Sequence, residues 1–172
     1  MSIPYQRISG ATVDDVIFYD PAAERRAASL NVNWDTYFEI ASQELLQMME
    51  FGWWPKYVQQ TFGAWYFKND EQGRMVTAFN PAKLVKTSQI LQRLDTFKAV
   101  EEFYRSLVTD VSNVNEVDQK NYEFAKARFE DEWTKAISLS NFYDLNSDGV
   151  IAKMEENMMA DQHFFNGDQR YF

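Results

Sequence analysis

Three stretches of the chain carry apolar residues at the three-and-four spacing of one helical face. Over 34–50 they are Trp34, Tyr37, Phe38, Ala41, Leu45, Met48 and Met49, with Asn33 as N-cap and Gly52 as a stop. Over 88–108 they are Leu91, Leu94, Phe97, Val100 or Glu101, Tyr104, Leu107 and Val108. Over 116–139 they are Tyr122, Ala125, Phe129, Trp133 and Ile137. The opposite side of this last stretch, with Glu123, Lys126, Arg128, Glu130, Asp131 and Glu132, reads as solvated helix surface. Each stripe reads as a core face, so the spacing predicts three long helices. The polar break Asp110–Asn115 separates the last two.

The pattern changes between Phe51 and Phe79. Trp54 precedes Pro55 and is biased away from helix. Thr61–Lys68 and Arg74–Phe79 are rich in aromatic and β-branched residues around the turn cluster Asn69–Gly73, which predicts a β-hairpin. A lone hairpin is marginal in water, so it must pack on the helices or on another chain. Asn80–Pro81–Ala82 is a turn into the second long helix. Residues 1–32 are weakly patterned and predict an arm, with Val13–Tyr19 as a short strand or extended piece. Asp20–Pro21 then supplies an N-cap and a first-turn proline for a short helix through Ser29. The expected fold is mainly α: a bundle of about three long helices with a β-hairpin insertion and extended N- and C-terminal arms. Its parts are an arm over 1–32, a helical core over 33–140 with the hairpin around 61–79, and a loop with a docking arm over 141–172.

The most specific local signal is Asp144–Glu155, which fits the twelve-residue calcium loop D-x-[DN]-x-[DN]-G-x5-E at every fixed position. Calcium takes several oxygens at flexible geometry, and alternate loop residues can aim Asp144, Asn146 and Asp148 at one centre. The Val150 carbonyl and the Glu155 carboxylate would complete the shell, with a water at Ala152 and Gly149 at the sharp turn. The same Asp and Asn side chains could instead satisfy backbone donors in an ion-free turn. Sensor loops come in pairs that open a methionine-rich groove, and there is no second loop in this chain. Met154, Met158 and Met159 follow the loop, but methionine is also a common gap-filler in cores. The loop is better read as a clip that fixes how the short exit helix, Glu155 to about Gln162, leaves the third long helix.

Composition narrows the function classes. A formal charge of −9 argues against a phosphate-binding surface. The absence of cysteine removes disulfides, thiolate metal sites and thiol nucleophiles together. No apolar run is long enough to span a bilayer, and the expectation is no membrane. The single histidine, His163, has no orienting partner or nucleophile that the sequence can name, and no glycine pattern cradles a phosphate, so an enzyme is not expected. Aromatic residues make up 16% of the chain, which points to a dense core or to surfaces that a partner covers.

The order of these features resembles the head-to-tail adaptor (connector) proteins of tailed bacteriophages, over about residues 34–172. Three pieces carry the resemblance. They are Phe79-Asn-Pro-Ala-Lys-Leu-Val85 with Leu91–Lys98, Val100 and Phe103–Arg105; the charged helix with Tyr122, Phe129 and Trp133; and Tyr143–Gly149 with Glu155 and a short arginine-containing tail. The resemblance implies a mainly helical subunit of a virion neck, in a homo-oligomeric, dodecameric ring. The portal protein would receive the C-terminal arm through Phe164, Phe165, Arg170, Tyr171 and Phe172. The tail or a neck completion protein would meet the other side. The acidic composition fits a bore through which DNA passes without specific binding, because like charges repel. A reading from another class is a soluble calcium-binding regulatory module that captures a partner helix through its methionines and aromatics.

Overall fold

The computed structural model describes residues 7–57, 79–109, 115–139 and 142–143. Five α-helices lie among them: α1 (Val13–Tyr19), α2 (Pro21–Ser29), α3 (Trp34–Met48), α4 (Gln89–Thr109) and α5 (Glu116–Leu139). The chain is mainly helical, and no strand occurs among the described residues. The hairpin predicted around 61–79 lies outside them except for Phe79. No helix among the described residues is long and apolar enough to cross a membrane.

The three long helices fall where the apolar spacing places them. In α3 the buried residues are Trp34, Phe38, Ala41, Ser42 and Leu45, with the Asn33 side chain accepting from the Asp35 amide at 3.0 Å. The expected stop at Gly52 does not occur. Met49–Trp53 instead widens into a π-helical turn, and helix continues through 54–57. Trp54 keeps helical angles (φ −55°, ψ −46°) although proline follows, and its amide bonds to the Met49 carbonyl five residues back. Pro55 has no N–H to give, and it arrives where the hydrogen-bond ladder has already slipped by one residue.

Val13–Tyr19 forms α1 rather than a strand or extended arm. Two acidic residues in its first turn suit the helix N-terminus, and the Asp15 carboxylate accepts from the Thr12 amide at 2.7 Å in a capping box. Only Val16 of the apolar run 16–18 is buried; Ile17 and Phe18 point outward. Asp20 then caps α2 by accepting from the Ala23 amide at 3.0 Å, as its place before Pro21 predicts. Through Ala11, Val16, Ala23 and Ala27, residues 11–27 join the same buried cluster as Trp34, Phe38, Val100 and Phe103. This part of the N-terminal segment is core, not a free arm.

Helix α4 is the axis of the fold. It packs against α5, α3, α1 and α2, and every residue from Leu94 to Tyr104 is buried. Helices α5 and α3 run antiparallel to it. Arg93 near its start pairs with Glu132 late in α5, and Phe103 near its end meets Trp34 at the start of α3. A helix covered on all sides is ordinarily apolar all round. This one instead buries Asp95, Thr96, Lys98, Glu101 and Glu102.

Candidate functional site

The two residues directly before the calcium-type sequence motif are fixed in place. Phe142 and Tyr143, directly before Asp144, are buried. Tyr143 pairs with Leu84 as an isolated antiparallel bridge, and the Val85 amide donates to the Phe142 carbonyl at 2.9 Å. The partner segment is set by Asn80, whose side chain accepts from the Ala82 amide and starts the 3-10 turn Pro81–Lys83. Aromatic rings then close around the pair. Trp53 lies 5.0 Å from Phe142, Trp54 lies 5.1 Å from Tyr143, and Phe79 stacks on Tyr143 at 5.9 Å. Tilted, offset and edge-on rings at such spacings add to the apolar burial itself. The Tyr143 hydroxyl reaches toward the Asn80 backbone without a hydrogen bond of good geometry, and burial pushes it up to about 12. The predicted ligands Asp144, Asn146, Asp148, Val150 and Glu155 lie outside the described residues. So do His163 and the predicted docking residues Phe164, Phe165, Arg170, Tyr171 and Phe172. Among the described residues, no three acidic or histidine side chains gather as a metal site.

Two polar clusters sit inside the bundle. In the first, the buried Lys98 ammonium lies 2.8 Å from Glu44, 2.9 Å from Glu101 and 3.0 Å from Glu102, with its Nζ 5.0 Å from the centre of the Phe129 ring. Arg105 adds contacts of 3.1 Å to Glu102 and 3.4 Å to Glu44. Burial alone would lower the Lys98 value, but the three carboxylates outweigh it and hold the ammonium charged well above its ordinary range. Burial likewise raises Glu44, yet the Lys98 hydrogen bond and charge, with the Arg105 charge, leave it below its ordinary value. The arrangement is an ion lock between α3 and α4.

The second cluster centres on Asp95, which is 0% exposed. It accepts from the Ser9 hydroxyl at 2.6 Å and from the Ser42 hydroxyl at 3.3 Å. Burial pushes its carboxyl up to about 6, against the opposing pull of Ser9, Arg7 and Ser42. The same serines brace the N-terminal segment, because the Ala11 amide donates to Ser9 and the Ile8 amide to Ser42.

On the outside, Phe18 (77% exposed), Phe51 (75%) and Phe124 (64%) stand largely in solvent. Arg128 donates to the Tyr19 carbonyl at 3.0 Å and lies 4.3 Å over the Phe97 ring, so it is not the solvated residue that the α5 pattern predicts. That contact sets the end of α1 bearing Phe18 against the turn of α5 that follows Phe124. A groove of about 220 Å³ opens nearby, lined by Tyr19, Ile90, Arg93, Glu132, Lys135 and neighbouring residues. Glu132 bridges Arg93 and Lys135 across it.

Sequence reasoning missed Ser9, Ser42, Asp95 and the Lys98 group. The available signal was the run of Asp95, Lys98, Glu101 and Glu102 along a helix flanked by aromatic stripes on both neighbours. No protein-family model matches the chain, and neither a curated protein nor a solved structure matches it significantly.

Proposed function

We propose that this chain is a structural assembly subunit: a head-to-tail adaptor of a tailed-phage neck, working as a homo-oligomeric ring between the portal and the tail or next neck protein. The observation that carries the reading is the exposure of Phe18, Phe51 and Phe124 in a chain that buries most of its other described rings. Large apolar groups left outside a dense core suit surfaces that a neighbouring subunit covers. The aromatic anchor at Phe142–Tyr143 adds support, because it gives the loop at 144–155 a rigid origin. In this reading calcium, held by Asp144, Asn146, Asp148, the Val150 carbonyl and Glu155, sets the exit direction of the C-terminal arm. Phe164, Phe165, Arg170, Tyr171 and Phe172 then dock that arm on the portal.

Size-exclusion chromatography with mass measurement, with and without calcium and with a portal partner, tests the proposal. An adaptor is expected to give a defined ring, alone or on the portal. A chain that stays monomeric with the portal and exposes apolar surface when calcium is added would be a regulatory module instead.

A further inference from the structure

We propose that Asp95, Ser9 and Ser42 form a proton-operated latch on the segment Arg7–Ala11, closed while the carboxyl keeps its proton and released as the carboxyl ionises. The geometry is that of a lid seated on a buried acid. Ser9 belongs to the segment, Ser42 to α3 and Asp95 to α4, so three separate pieces of chain meet at one carboxyl group. Both donors are neutral hydroxyls. They satisfy the oxygens without cancelling the charge, and a buried uncancelled charge is disfavoured.

Beyond the serines, the segment seats Ile8 and Ala11 in the core and makes one backbone bond to another element among the described residues. The Gly10 amide donates to the Lys86 carbonyl at 3.1 Å, and a Cβ at Gly10 would meet the Gln92 amide nitrogen at 3.2 Å. Ile8 is buried in the cluster that contains Leu45, Leu91 and Leu94. Lifting the segment would therefore uncover apolar ground between α3 and α4 and give Asp95 water.

The charged groups around the latch are few among the described residues. From the segment itself, Arg7 favours the ionised form. Its guanidinium is also committed to the Phe38 ring at 4.5 Å, the Ala11 carbonyl at 2.7 Å and exposed Asp35 at 3.7 Å. From α3, Glu44 faces Lys98 and Arg105 of α4, and Glu101 and Glu102 of α4 also hold Lys98. Lys86, beside Gly10, is exposed. Desolvation prevails at Asp95, with its carboxyl near 6 in the closed state against 3.8 when hydrated. The closed state thus binds the proton more tightly than the open one. Opening rises with pH between about 4 and 6 and levels off beyond, by at most about a hundredfold for a gap of roughly two pH units. This inference does not depend on the adaptor reading.

Amide-resolved hydrogen exchange on the full chain, from pH 4 to 8 and corrected for intrinsic rates, tests it. The Gly10 and Ala11 amides are expected to open more readily than those of Val100 and Phe103. Their opening should rise tens of fold across pH 4–7. Asp95→Asn should flatten that rise, and Ser9→Ala should raise opening at every pH. The proposal is overturned if Gly10 and Ala11 open only together with the α4 core, if wild-type opening does not change with pH, or if Asp95→Asn keeps the wild-type rise. Should Asp95→Asn fail to fold, the wild-type profile and Ser9→Ala still decide.

Discussion

Leu84 and Tyr143 pair across a single antiparallel bridge, joining the turn before α4 to the chain that leaves α5. The two segments are almost sixty residues apart in sequence, and the bridge fixes the residue directly before the acidic calcium-type motif. Among the described residues the backbone contact is this bridge and one hydrogen bond, and the rings of Trp53, Trp54, Tyr57 and Phe79 around Tyr143 add to the hold.

The first prediction separates the Tyr143 ring from its hydroxyl. Tyr143→Ala should cost about 3–5 kcal/mol, the usual range for emptying a buried aromatic site. Tyr143→Phe should leave stability unchanged or slightly raised, because a buried hydroxyl without a good partner only adds desolvation cost. Urea denaturation of both variants checks this. A loss above about 1 kcal/mol in Tyr143→Phe would show that the hydroxyl has a partner of real strength.

The second concerns Lys98. Lys98→Met removes the cation from between buried Glu101 and Glu102 and should cost about 3–5 kcal/mol at pH 7. The sign with pH is definite. Glu44 is held below its ordinary value, so its contribution in the wild type is present above about pH 4.5 and fades as the pH falls through its folded value. In the variant, Glu44 loses the Lys98 hydrogen bond and charge that hold it down, so it takes up its proton more readily and stability returns on acidification. Wild-type and variant denaturation curves should converge between pH 7 and 4. A constant gap would mean that the lysine acts by packing alone.

The helical frame was legible because its signals are local. Asn33, Asp20–Pro21 and the apolar stripes state helix starts and faces within a few residues, and the structure places α2, α3, α4 and α5 there. Two local rules lost to context. Gly52 and Pro55 should have ended α3, but a π turn absorbs both, and Trp53, Trp54 and Tyr57 are then carried into the aromatic cluster. Val13–Tyr19 read as a short strand or extended piece within an arm, yet it is a helix started by Thr12 and Asp15, with Ile17 and Phe18 facing outward. The polar interior was illegible for a different reason. Asp95 and Lys98 become interior residues only because α1, α2, α3 and α5 surround α4, and no one-dimensional period encodes that enclosure.

The third prediction follows from the exposed rings. Phe18→Ser and Phe124→Ser should change monomer stability by no more than about 0.5 kcal/mol, as for surface substitutions generally. In an assembly subunit they should nevertheless weaken association at least tenfold by mass measurement across a dilution series. Unchanged association in both variants would move the subunit interface away from the α1–α5 edge.

The last prediction concerns the loop that follows the anchor. If calcium at Asp144–Glu155 clips the C-terminal arm, Asp144→Ala with Glu155→Ala should abolish calcium binding in titration calorimetry and weaken assembly on the portal. Chelation should do the same to the wild type. Neither change should alter the helical signal or the thermal transition of the bundle, because Phe142 and Tyr143 are held by Val85, Leu84 and the aromatic cluster and not by the ion. On the proposed reading the anchor would divide two roles the sequence alone leaves joined: core residues up to Tyr143, and an arm that calcium would direct. A fall in thermal midpoint of more than about 5 °C in the double variant would place the loop within the core and remove the clip.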